Sequence, residues 1–99
     1  MAIVVTFEFS EPIEKYHRIL ELGGDSLLDQ PDRFSHVCYR TNAGFAVLDV
    51  WKDEASFQRF GETLMPILHL IGISADPLVY ECVNTVDQSG HQSMEQRAA

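Results

Sequence analysis

The sequence predicts an α+β domain in which a four-stranded antiparallel sheet is built in the order β-α-β-β-α-β. Three observations carry that expectation. Short, β-rich apolar runs occur near the start, in the middle and towards the end of the chain. Two segments between them place apolar residues at helical spacing. The tetrapeptide Thr41-Asn42-Ala43-Gly44 joins the second and third strands with residues suited to a tight turn. At 99 residues and 45% hydrophobic content the chain has material for one core, so a second domain is excluded.

Strand one is Ile3 to Phe9, with Ile3, Val5, Phe7 and Phe9 on one parity and Val4, Thr6 and Glu8 on the other. Ser10 or Glu11 can cap the first helix, Pro12 suits its first turn, and Ile13, Tyr16, Ile19 and Leu20 repeat along one face until Gly23. Gly24 to Arg33 reads as a loop in which Leu27-Leu28 tucks onto the body. The hairpin from His36 to Trp51 follows, its turn expected to place Asn42 and Gly44 at positive φ. Asp53 caps the second helix, on which Phe57, Phe60 and Leu64 mark one face. Pro66 predicts a break near Met65 and a short restart ending at Gly72. The last strand runs from Leu78 to Val83. The domain thus spans residues 1–86, and the polar stretch 87–99 is expected to be a disordered tail.

This order is the ferredoxin-like, split β-α-β arrangement, and right-handed crossovers put both helices on one sheet face. The other face is bare. Strand three is apolar on both parities, with Phe45, Val47 and Trp51 on one and Ala46, Leu48 and Val50 on the other, so the bare face is an apolar patch uncommon on a monomer. A second copy, sheet against sheet, is the expected cover. Taking Val37 and Tyr39 to face the helices places Arg40, Val47 and Asp49 towards that partner. An Arg40–Asp49 ion pair fixing the dimer register is then the first reading of those charges, and an anchor for a ligand's acidic group the second. Cys38 and Cys82 fall on the two edge strands, roughly 14 Å apart, beyond the ~7 Å a disulfide spans.

A formal charge of −8, with the seven basic residues scattered, disfavours nucleic acid and anionic membranes as partners. No segment reaches the ~18 apolar residues of a membrane span, and the N-terminal run meets Glu8 without a basic lead, so a cytoplasmic location is expected.

The run VLDVWKDEASFQRF, Val47 to Phe60, resembles the strand-three to helix-two segment of the antibiotic biosynthesis monooxygenase-like proteins of the dimeric α+β barrel superfamily. The end, PLVYECVNTV from Pro77 to Val86, is similar to the last strand and exchange segment of small bacterial members. The resemblance implies a homodimer whose sheets form a barrel, with a cavity between sheet and helices in each subunit. It also implies a choice among cofactor-independent oxygenases of aromatic polyketides, haem-degrading monooxygenases and members without known activity. The haem-degrading type carries an Asn on strand one, a Trp on helix two and a ligating His beyond it. Here no Asn precedes Asn42 and Phe60 stands in the Trp position, so only His69 remains and haem degradation is disfavoured.

No catalytic triad signature, phosphate loop or dinucleotide fingerprint is present. His36 and Cys38 share a strand face, but two ligands alone make a poor metal site. Two readings stay open. In one, a small hydrophobic or aromatic ligand is held by Tyr16, Phe57, Phe60, Leu64, Trp51 and Arg40, and His69 or Tyr39 polarises it for a cofactor-free monooxygenation. In the other, the same dimer is a non-catalytic binding or accessory module.

Overall fold

In a computed structural model, which describes residues 1–94, the chain runs β1 (Ile3–Phe9), α1 (Glu14–Gly23), α2 (Asp25–Leu28), β2 (Arg33–Arg40), β3 (Phe45–Trp51), α3 (Glu54–Leu70) and β4 (Leu78–Glu81). The four strands form one antiparallel sheet in the order β2-β3-β1-β4. This is the ferredoxin-like arrangement, with the short α2 in place of the expected loop. Leu27 of α2 is buried and Leu28 is exposed, so one leucine of the pair does the tucking.

The helix ends follow from local chemistry. No side chain caps α1; Pro12 accepts from the Lys15 N–H in the entry turn, in place of the Ser10 or Glu11 cap. At its far end Gly24, at φ 53°, returns its N–H to Leu20. Asp53 caps α3 as expected, its Oδ1 accepting from the Ser56 N–H at 2.8 Å and the Ser56 hydroxyl at 2.6 Å. The break at Pro66 does not occur, and α3 is continuous through it. Glu62, whose carbonyl loses its partner to the proline, is exposed, as is Pro66 itself, so the orphaned group lies on the water side while Leu64 and Leu68 hold the opposite side in the core.

The hairpin turn closes through Thr41 and Gly44, which share a backbone bond of 3.0 Å and a Gly44 N–H to Thr41 hydroxyl bond of 3.0 Å. Neither Asn42 nor Gly44 has positive φ. Gly44 is required by close approach instead, since a Cβ there would run into the backbone oxygens of Phe9 and Glu11.

The register decides which residues share a face, and it reverses one expectation. Phe9, Phe7, Val5 and Ile3 of β1 lie opposite Phe45, Val47, Asp49 and Trp51 of β3, and directly opposed residues point the same way. The strongly apolar parity of β1 must face the helices, so Val47, Asp49 and Trp51 face them too. His36 and Cys38 lie opposite Asp49 and Val47 and join that face. Val37 and Tyr39 therefore point outwards, 49% and 44% exposed.

Trp51, Phe45, Leu68 and Val5 form the fully buried centre of the core, with Phe9 stacked on Phe45 at 4.7 Å between centroids. Beyond β4, the Cys82 N–H bonds to Ala2, and residues 85–93 close a turn in which Ser93 donates to Thr85 and Asp87 accepts from Ser89 and His91. This turn, within the stretch expected to be a polar tail, borders an open groove on the outer face beside Phe34, Ser35 and Val50. Residues 95–99, the rest of that stretch, lie outside the described residues.

Candidate functional site

Between the sheet and helices α1 and α3 lies a cavity of about 50 Å³. Aromatic and aliphatic side chains make nearly all of its wall, among them Phe9, Phe45, Phe60, Leu64 and Leu68. The periodicity of the elements explains this: every second residue of β1 and β3 and one stripe of α3 turn inwards, and those positions are apolar. The exceptions are three residues from three different elements, Tyr16 of α1, His36 of β2 and Asp49 of β3.

These three are hydrogen-bonded in a line. His36 and Asp49 are directly opposed across the hairpin, and His36 Nδ1 lies 2.5 Å from Asp49 Oδ1. The Tyr16 hydroxyl lies 2.7 Å from His36 Nε2, with the two rings stacked at 6.0 Å. Asp49 is only 2% exposed, whereas the His36 side chain is 24% exposed, so the line runs from the interior towards the surface. A carboxylate only accepts, so His36 Nδ1 carries a hydrogen donated to Asp49, and its Nε2 is left to accept the Tyr16 O–H.

A buried carboxylate is costly unless its partner is well placed. Here the partner is a histidine, a residue type whose charge can change near neutral pH. Burial, reinforced by Cys38 and Asp49 and opposed by Arg33, holds the Tyr16 phenol above its ordinary pKa, so Tyr16 keeps its proton. Burial likewise raises the Cys38 thiol, against the opposing pull of Arg40.

The residues expected to form the site are scattered. Tyr16, Phe60 and Leu64 line the cavity. Phe57 and Trp51 pack behind it, their rings 6.2 Å apart, and Arg33 lies over the Trp51 and Phe60 rings at 5.7 and 5.5 Å. Trp51 Nε1 is buried without an acceptor among the described residues. Tyr39 is on the outer sheet face, Arg40 is exposed at the strand end, and His69 is exposed in the last turn of α3, so none of the three lines the cavity. Asp49 pairs with His36 rather than Arg40, because Arg40 lies opposite Phe45. Among the described residues no group of three or more His, Cys, Asp or Glu could hold a metal, and no helix is long and apolar enough to cross a membrane.

The His36–Asp49 pair is readable from the hairpin alone. Once the turn sets Arg40 opposite Phe45, counting back along both strands brings His36 opposite Asp49. Tyr16 joins them only through the packing of α1, which hairpin counting does not reach.

The fold and cavity define a class: an antiparallel α+β sheet with helices on one face and an apolar cavity between the two layers. Solved structures of that shape carry the assignment. SnoaB, a cofactor-independent oxygenase from Streptomyces nogalater, is 15% identical, with a TM-score of 0.59 over 88% of this chain and 96% of that one. A candidate antibiotic biosynthesis monooxygenase from Deinococcus radiodurans is 10% identical, with a TM-score of 0.58 over 88% and 97%. A conserved protein from Methanosarcina mazei Go1 is 20% identical, with a TM-score of 0.61 over 81% and 91%. At these identities the likeness is one of fold. No family model and no curated protein matches the chain.

Proposed function

We propose that the protein is a homodimer whose subunits each bind a small aromatic or hydrophobic molecule in the cavity between sheet and helices, and that it oxygenates that molecule without a cofactor. The observation that carries this reading is an apolar, aromatic-walled cavity with one polar corner, Tyr16, His36 and Asp49. The fold shared with SnoaB, a cofactor-independent oxygenase, supports the reaction class.

Such chemistry asks little of the protein. An electron-rich phenol or enol supplies the electrons to dioxygen itself. Where a ring methylene becomes a carbonyl, one oxygen atom enters the substrate and the other leaves as water with the two methylene hydrogens. The protein's part is to hold the substrate, exclude water and manage a proton.

The dimer reading rests on the outer sheet face. Val37, Tyr39, Leu78 and Tyr80 all stand exposed there, beside Val4, Leu48 and Val50, and a second copy would cover them. A non-catalytic binding module with the same architecture is the second reading. The small cavity, about 50 Å³, favours it, since it leaves no room for a polycyclic substrate.

The test is oxygen uptake by the full chain with a panel of phenols and ring-methylene compounds, run beside native mass spectrometry. Uptake with a carbonyl or quinone product from a dimer is the expected result. Binding without uptake across the panel would overturn the catalytic reading in favour of the module. A monomer in solution would overturn the dimer.

A further inference from the structure

We infer that Tyr16, His36 and Asp49 form a proton relay that takes the hydroxyl proton from a compact phenol or enol bound in the cavity. The inference rests on the cavity being a ligand site, and goes further in naming the acidic group recognised and the residues that act on it.

The relay follows from the geometry. The three groups are in series, with 2.7 Å between Tyr16 Oη and His36 Nε2 and 2.5 Å between His36 Nδ1 and Asp49 Oδ1. They come from three elements, so their alignment needs the whole fold. They are also the polar groups of an otherwise apolar wall, so a ligand hydroxyl entering the cavity has them as its protein partners there. A structural role alone would not call for a carboxylate as deeply buried as Asp49, since apolar residues fill such positions at no electrostatic cost.

The direction of the step is set by the charges around His36. Asp49 faces it from β3 and Tyr16 from α1, while Arg33 and Cys38 share its own strand. The α3 side chains that line the same cavity, Phe60, Leu64 and Leu68, carry no charge. Asp49 is thus the counter-charge that an imidazolium at His36 would meet. Tyr16, with its proton held by burial, is a poor phenolate base but a good conduit.

In the step, the ligand O–H bond breaks as its proton reaches a lone pair on Tyr16 Oη. The Tyr16 proton passes in the same motion to His36 Nε2. The ligand becomes an anion, His36 becomes an imidazolium beside the Asp49 carboxylate, and Tyr16 is unchanged. No electrons are transferred, so no oxidant is needed for this step. The anion is the electron-rich form that the proposed reaction with dioxygen requires. Tyr16 touches the ligand and is a catalytic residue on this account; His36 receives the proton through it, and Asp49 is a positioning residue that sets the His36 tautomer. The Phe9, Phe45 and Phe60 walls and the small volume restrict the ligand to a single ring.

The experiment uses 4-nitrophenol, whose ionisation is visible in its absorption spectrum, titrated with the full-length protein about one pH unit below the dye's solution pKa. The expected result is a bound dye that is about half phenolate or more, an apparent pKa lowered by about one unit or more, which is tenfold in the ionisation constant. Tyr16→Phe, His36→Gln and Asp49→Asn are expected to bind the dye more weakly and to hold the bound dye neutral. Circular dichroism checks that each variant folds, and Tyr16→Phe, which keeps the ring, carries the test if the other two do not fold. A dye bound neutral by the wild type, or ionised equally by a folded Tyr16→Phe variant, overturns the relay and leaves the cavity as a binding site. Absence of dye binding to the wild type overturns the cavity as a phenol site and the relay with it.

Discussion

The two faces of the sheet are both apolar, yet they are built differently. On the helix face, Val5, Phe7, Phe9, Phe45, Val47 and Trp51 are sealed under α1 and α3, and the polar groups facing the cavity are gathered into one bonded line. On the outer face, Ala46 and Val50 are buried between their neighbours, but Val37, Tyr39, Leu78 and Tyr80 on the edge strands stand open. Apolar content alone therefore does not mark the site. What distinguishes the helix face is that the polar side chains of its cavity are hydrogen-bonded to one another.

The largest effect should come from placing a charge on each face of β3. Val47→Asp puts an unpaired carboxylate among Phe7, Phe9 and Phe45, and should abolish folding, as read by loss of a cooperative thermal transition. Leu48→Asp, one residue along and on the outer face, should leave the monomer folded while dissociating the proposed dimer in sedimentation measurements. A folded Val47→Asp protein would break the face assignment. Next, Phe45→Ala removes a fully buried ring and should cost about 3–5 kcal/mol in denaturant unfolding. Tyr39→Ala, by contrast, should cost no more than about 0.5 kcal/mol if water covers the outer face. A larger, concentration-dependent loss for Tyr39→Ala would show that a partner covers it. Between those two, Gly44→Ala forces a Cβ against the Phe9 and Glu11 backbone and should cost about 1–3 kcal/mol despite the residue's ordinary φ.

Most of the architecture is legible in the sequence because it follows from period and punctuation. The parities of β1 and β3, the Asp53 cap and the turn at Thr41 to Gly44 are each readable from residues a few positions apart. Three features need more than local spacing. Pro66 breaks a helix by rule, but here the packing of Leu64 and Leu68 keeps α3 whole. Residue type misassigns the outward face of β2, because Val37 and Tyr39 look more apolar than His36 and Cys38; pairing to β1 through β3 decides the matter, since Ile3 to Phe9 has only one face it can bury. The site is legible in its apolar part and, by counting along the hairpin, in the pairing of His36 with Asp49. Phe60, Leu64 and Tyr16 stand out at helical spacing, but the choice of His69 and Tyr39 rests on residue type, and a residue's chemistry matters only where the fold puts it.

The smallest prediction compares two tyrosines, one per face. Tyr16→Phe removes the hydrogen bond to His36 and leaves Nε2 without that donor, which should cost about 0.5–1.5 kcal/mol at neutral pH. Tyr39→Phe, on a residue open to water, should be close to neutral there. The pH dependence sharpens the contrast. The folded-state pKa of Tyr16 is raised above its ordinary value of 10.0, chiefly by burial, so the folded protein binds that proton more tightly than the unfolded chain does. The associated stability is fully present below the unfolded pKa and is lost as pH rises through the folded one. Unfolding measured from neutral to strongly alkaline pH should therefore show a steeper loss in wild type than in Tyr16→Phe above about pH 10. If the two curves stay parallel throughout, the Tyr16 hydroxyl titrates as freely folded as unfolded, and the helix face is more open to water at its polar corner than the bonded line from Tyr16 to Asp49 implies.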